Sequence, residues 1–235
     1  MGRVWAAGAE MTGRLYIVRR AVCEREPKNR PFVSGIQEKG TGGPGEPPPR
    51  SPGETDMTKE EAIALAEELG LRGRGIFAAK DLKFLKEVRD MCKTDKCGNY
   101  KKTWTCPPAC GTLAESRKKA KQYSWGIILQ TTAEMEDEFD GEAIEEASSL
   151  QRSRFLEYCT RIRETGEDIL PMGSGGCGVD CAPCTYPDAP CRFPDRAFTS
   201  MEAYGLLVTD VCKSANTPYY YGRNTVTFTG CVLFH

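Results

Sequence analysis

Histidine is all but missing: the 235-residue chain holds one, His235, at its C-terminal end. That scarcity removes Ser/His/Asp and Cys/His catalytic arrangements, which need an imidazole to move a proton. It also denies a mixed Cys/His zinc site its nitrogen ligands. An excess of one charge is missing too, and a formal net charge of -1 gives no overall pull toward nucleic acid or an anionic membrane. Apolar runs are short. None approaches the roughly 20 residues that a membrane-spanning helix requires, and the N-terminal stretch has no continuous apolar core leading to a cleavage site. The glycine-rich "GSGGCG" lacks the Lys-Ser/Thr that completes a phosphate cradle. These absences lead to the expectation of a soluble, cytoplasmic protein with neither nucleic acid nor membrane among its partners.

Cysteine, by contrast, is abundant, with 12 residues. A chain of this length buries enough surface to fold without cross-links. Nothing directs it to an oxidising compartment, so reduced thiols, and therefore metal, explain the cysteines better than disulfides.

Residues 1–56 differ from the rest. Runs such as "GTGGPGEPPPRSPGE" combine low apolar content with backbone breakers, so this Gly/Pro/Arg-rich segment is expected to be a disordered extension. Met57 stands directly before a strong helix start and reads like a natural first residue, which makes a mis-called start the working expectation for what precedes it. Cys23 falls in that segment and carries no role.

Residues 57–235 read as a cysteine-rich metal-binding domain. Thr58 with Glu61, and Thr112 with Glu115, have the spacing of capping boxes, and Gly70 suits a helix end. "WGIILQTT" reads as a buried strand, residues 142–163 as an amphipathic helix with Phe155, Cys159 and Ile162 on one side, and "DILPMG" as a short strand. "TSMEAYGLLVTDVCKSAN" has helical period, placing Tyr204, Leu207, Val208 and Val211 inward. "NTVTFTGCVLF" alternates as a strand does. The basic run Arg117 to Lys121 is read as a solvated helix face. The fold class is therefore α/β or α+β: a single compact domain with short strands, flanking helices and two cysteine-rich metal loops.

The thiols fall into two quartets: Cys92-x4-Cys97-x8-Cys106-x3-Cys110 and Cys177-x3-Cys181-x2-Cys184-x6-Cys191. In each, glycine and proline let the backbone wrap a small inorganic object with sulfurs turned inward. Zinc sites favour two Cys-x2-Cys knuckles, and only Cys181 and Cys184 have that spacing. Wider spacing followed by a cysteine near proline is closer to iron-sulfur ligation. Cys92, Cys97, Cys106, Cys110, Cys177, Cys181, Cys184 and Cys191 are thus the expected ligands of one or two [4Fe-4S] clusters, with zinc as the alternative. Gly175, Gly176 and Gly178 would allow close backbone approach, and Arg192 could offset cluster charge or be an ordinary surface arginine. Cys110, just ahead of a helix start, is well placed to be a thiolate. Cys159, Cys212 and Cys231 lie on regular elements and read as core residues.

The stretches "CKTDKCGNYKKTWTCPPACG" and "GCGVDCAPCTYPDAPCRFP", with "SMEAYGLLV" after them, resemble a prokaryotic family described as predicted metal-binding proteins, a domain of unknown function. The resemblance implies metal binding through these cysteines and no particular reaction. The expected role is electron transfer, or a redox module for a partner protein. Two alternatives stand beside it: an enzyme with an open-site cluster acting on a small substrate, and a zinc-stabilised interaction module. Tyr219, Tyr220, Tyr221 and Arg223 in "YYYGRN" are the candidate substrate-pocket groups, weighed against a tyrosine-packed turn beside the sheet. The sequence sets no oligomeric state.

Overall fold

The computed structural model describes residues 57–177, 181 and 183–235. The extension at 1–56, Cys23 and Gly178 lie outside the described residues. Capping signals act where the sequence places them. Helix α1, Lys59–Glu68, opens with both hydrogen bonds of the Thr58/Glu61 box. Strand β1, Ile76–Ala78, and helix α2, Lys86–Met91, follow. Helix α3, Leu113–Ala120, opens with the Thr112/Glu115 box. Then come β2, Trp125–Glu134, α4, Gly141–Glu164, β3, Leu170–Gly173, and β4, Thr199–Ser200. Helices α5, Met201–Tyr204, and α6, Val208–Ser214, precede β5, Thr225–Phe234.

The strands form one sheet in the order β1-β2-β5-β3-β4. Its spine is the antiparallel β2/β5 pair, in register from Trp125 opposite Phe234 to Glu134 opposite Thr225. The period of two in side-chain direction divides the core. Ile127, Leu129, Val232 and Phe234 pack with Phe155, Tyr158, Cys159 and Ile162 of α4 and Ala62 and Ala66 of α1. Ile128, Cys231 and Leu233 pack on the opposite side with Met201, Tyr204, Val211 and Cys212. The result is a mixed α/β sheet with helices on both faces, a single compact domain. Cys159, Cys212 and Cys231 are core residues, 0%, 1% and 0% exposed. Burial pushes the first two thiols up to about 12 and about 11. Among the described residues, no helix is long and apolar enough to cross a membrane.

One expectation fails. The helical period over "TSMEAYGLLVTDVCKSAN" is not one helix but two, broken at Gly205 with φ +85. The amide of Gly205 donates to Glu202 O, and that of Leu206 donates to Met201 O, closing α5 in a left-handed cap. The break buries Leu206 and turns Leu207 outward, leaving it 38% exposed. Its cause is tertiary: Gly205 O accepts from Leu85 N, and a Cβ here would meet Leu113 Cδ1 at 2.5 Å and Leu85 O at 2.9 Å.

The two quartets occupy different connections. The first lies between α2 and α3. The second lies in the crossover from β3 to β4, which pair in parallel and so cannot be joined by a tight turn.

Candidate metal centre

The first loop begins as a continuation of α2. Cys92 caps that helix in right-handed helical conformation and starts a single 3-10 turn, Cys92–Thr94, which Asp95 ends with φ 50. The Asp95 carboxylate then accepts from Tyr100 N at 2.9 Å and pairs with Lys102 at 2.8 Å, tying down the segment that carries Cys97. Lys101 N donates to Pro107 O, Cys106 N to Thr103 O and Cys110 N to Cys106 O, at 3.0, 3.3 and 3.3 Å. The chain is thereby folded back across itself before Thr112 caps α3. Cys106 is 9% exposed, Cys92 and Cys110 are half-buried, and Cys97 is exposed.

Cys97, Cys106 and Cys110 lie near enough to Cys92 to bear on its thiol. Burial pushes the Cys92 thiol up first, and the neighbouring charges that add to this are Cys106, Cys97, Glu202 and Cys110. Burial likewise raises Cys110, against the pull of Arg89. Among the described residues no three Cys, His, Asp or Glu side chains are arranged around a single-ion position.

Arg89 is the residue that sequence reasoning missed. It lies one helical turn before Cys92, and its guanidinium donates to Ala203 O, to Gly111 O and, at 3.7 Å, to Cys110 Sγ. Its place three residues before Cys92 puts it on the same helix face, but only the fold brings its acceptors to it. Thr103 and Thr105 were also missed. Their hydroxyls, on either side of Trp104 and just ahead of Cys106, are buried without a hydrogen-bond partner.

The second loop is more open. Cys177, Cys181, Cys184 and Cys191 are all half-buried. Thr185 Oγ1 donates to Pro190 O at 2.8 Å and closes the turn between Cys184 and Cys191. Arg192 Nη1 donates to Cys181 O and Pro183 O at 3.2 and 3.1 Å. Its fork therefore braces loop backbone, a use that neither expectation for it foresaw. Cys92, Cys97, Cys106, Cys110, Cys181, Cys184 and Cys191 are in no disulfide.

The two loops touch. Trp104 of the first donates from Nε1 to Ala189 O of the second at 3.1 Å, and its ring meets Tyr186 edge-on, 5.0 Å between centroids. Gly176 lies so close to Asn99 that a Cβ there would come within 2.7 Å of Asn99 Nδ2. The tyrosine run, in contrast, makes no shared pocket. Tyr221 donates to the buried Gln130 Oε1 at 2.7 Å, while Tyr219 and Tyr220 are 50% and 64% exposed. Tyr220 and Arg223 line one groove and Tyr221 another.

The donor set is one that binds soft metals, as cysteine thiolates do, and the orphaned Thr103 and Thr105 hydroxyls are donors that lack an acceptor. No curated protein and no solved structure matches the chain. The model of one family, described as predicted metal-binding protein (DUF2284), matches residues 75–234, a span that takes in both cysteine loops. On that match, covering more than half of its length, the chain belongs to this family of predicted metal-binding proteins.

Proposed function

We propose that the chain is an iron-sulfur protein, with a [4Fe-4S] cluster at each cysteine loop, and that it transfers electrons to a redox partner. When bound, such clusters supply one-electron chemistry at potentials set by their surroundings. The observation that carries the reading is that Cys92, Cys97, Cys106 and Cys110 share one folded-back loop, beside Arg89, with two buried, unpartnered hydroxyls. Arg89 offers positive charge to a negatively charged thiolate set, and Thr103 and Thr105 offer hydrogen bonds to sulfur. The contacts of Trp104 with Tyr186 and Ala189 support a path between the loops, since electron exchange requires neighbouring centres.

The test is metal and sulfide analysis of anaerobically purified full-length protein, with visible absorption and electron paramagnetic resonance on the same sample. Iron and acid-labile sulfide in equal amounts, with a broad visible band bleached by reductant, is the expected result. Stoichiometric zinc without sulfide would overturn it in favour of a zinc-stabilised module.

A further inference from the structure

A cavity of about 320 Å³ opens between α4 and the end of β3, bordered by the first residue of the second quartet, Cys177. Its inner wall is apolar: Phe155 and Phe198, 3% and 9% exposed, meet edge-on with centroids 5.2 Å apart. Arg152 and Arg196 line it together with the hydroxyls of Ser149, Ser153 and Ser174, and among the described residues no acidic one does.

Both arginines are available to a ligand. Arg152 donates to Ser148 Oγ at 2.9 Å and pairs with the exposed Glu145 at 3.3 Å, a surface ion pair of the sort that costs little to exchange for another anion. Arg196 lies over the Phe193 ring, 5.8 Å to the centroid, a contact that takes up none of its N–H donors in a hydrogen bond. Two planar forks over an apolar floor match an anionic head group on an apolar body.

We propose that this cavity binds a small organic anion, its carboxylate or phosphate head between Arg152 and Arg196 and its apolar part against Phe155 and Phe198. The anion would lie beside Cys177, which makes it a candidate substrate or effector of the second loop. That last clause alone rests on the iron-sulfur reading; the binding site stands on the cavity.

Calorimetric titration of the full chain with phenylacetate, phenyl phosphate and neutral 2-phenylethanol tests it, on protein whose iron content is measured in parallel. At least one anion should saturate, with the neutral compound binding about tenfold or more weakly. Arg152→Gln and Arg196→Gln should each weaken that anion about tenfold, while Arg161→Gln, which pairs with Glu68 on the α1 side of the same helix, should leave it unchanged. The two anions separate carboxylate from phosphate. Equal binding of anion and neutral compound, unchanged affinity in Arg196→Gln, or no binding of either anion up to about 10 mM would each overturn the site. Iron-replete protein that binds neither anion would sink the cavity and leave the clusters standing, and iron-free protein that binds one would do the reverse.

Discussion

The two cysteine loops hold the same number of thiols and are built in opposite ways. The first is set into the helical layer: it continues α2, is pinned by Arg89 to Gly111 and Ala203, and runs into a capped α3. The second hangs from the sheet margin, between β3 and the edge strand β4, braced mainly by its own turn and by Arg192. One therefore shares its contacts with the helical layer, while the other leans more on contacts within itself. In the electron-transfer reading, Cys106 is the sheltered ligand of the first loop and Cys97 its exposed one, while the second loop offers four half-buried ligands.

Ligand removal should separate the loops most. In the iron-sulfur reading, Cys106→Ala is expected to remove about half of the iron and lower the thermal midpoint by about 10 °C, because a metal at that loop would stabilise packed structure. Cys184→Ala should cost the same share of iron and shift the midpoint by only about 2 °C. Differential scanning calorimetry with iron analysis reads both, and equal midpoint losses would erase the contrast. Gly205→Ala comes next. It forces an alanine into a left-handed conformation against Leu85 O and Leu113, the residues that seat α2 and α3 around the first loop. A loss of about 2 kcal/mol, roughly 5 °C, is expected in urea and thermal unfolding. A neutral result would mean that the α5 break is not what holds this frame.

The same contrast explains what the sequence made legible. Both capping boxes are patterns of residues three apart, and α4 announces itself by periodic burial over 24 residues, so local rules sufficed. The eight cysteines were visible as two groups for the same reason. What stayed hidden depends on distant partners. Gly205 breaks a periodic helix because Leu85 and Leu113 approach it. Arg89 is one arginine among many until Ala203, 114 residues away, accepts its N–H. The three-residue β1 and two-residue β4 are strands only because β2 and β3 pair with them, and they are too short to show an alternation. The contact of Trp104 with the second loop joins residues 85 apart, and no spacing in either loop encodes it.

Charge placement gives a finer comparison. Arg89→Gln removes a cation 3.7 Å from Cys110 Sγ and, in the iron-sulfur reading, should lower the reduction potential of a cluster at the first loop by on the order of 40 mV, since the reduced state carries more negative charge. Arg192→Gln removes a brace on carbonyl oxygens, so its effect on potential should be smaller and its effect on iron retention larger. Spectroelectrochemical titration of the two variants decides, and Arg89→Lys, which keeps the charge, should recover most of the potential. Identical shifts in Arg89→Gln and Arg192→Gln would show that the positions act only through loop structure.

The smallest expected effect uses the two capping boxes as internal controls. Glu61 and Glu115 each accept from a threonine amide, and those bonds, with the threonine hydroxyls, hold both carboxyls below the usual range. A lowered folded-state pKa means the contribution is fully present above the ordinary carboxylate range and is lost as pH falls through the lowered value. Glu115→Gln and Glu61→Gln should each reduce the thermal midpoint by about 1 to 3 °C near neutral pH, and the gap to the native chain should close in acid. Only Glu115 stands behind the first cysteine loop, where its carboxylate lies 3.1 Å from the position a Gly111 Cβ would take. Glu115→Gln should therefore release iron at a higher pH than the native chain does, while Glu61→Gln, on α1, should release it at the native pH. A gap that persisted at low pH would mean the carboxylate is not its source, and equal iron release in both variants would mean that the α3 cap does not support the loop in front of it.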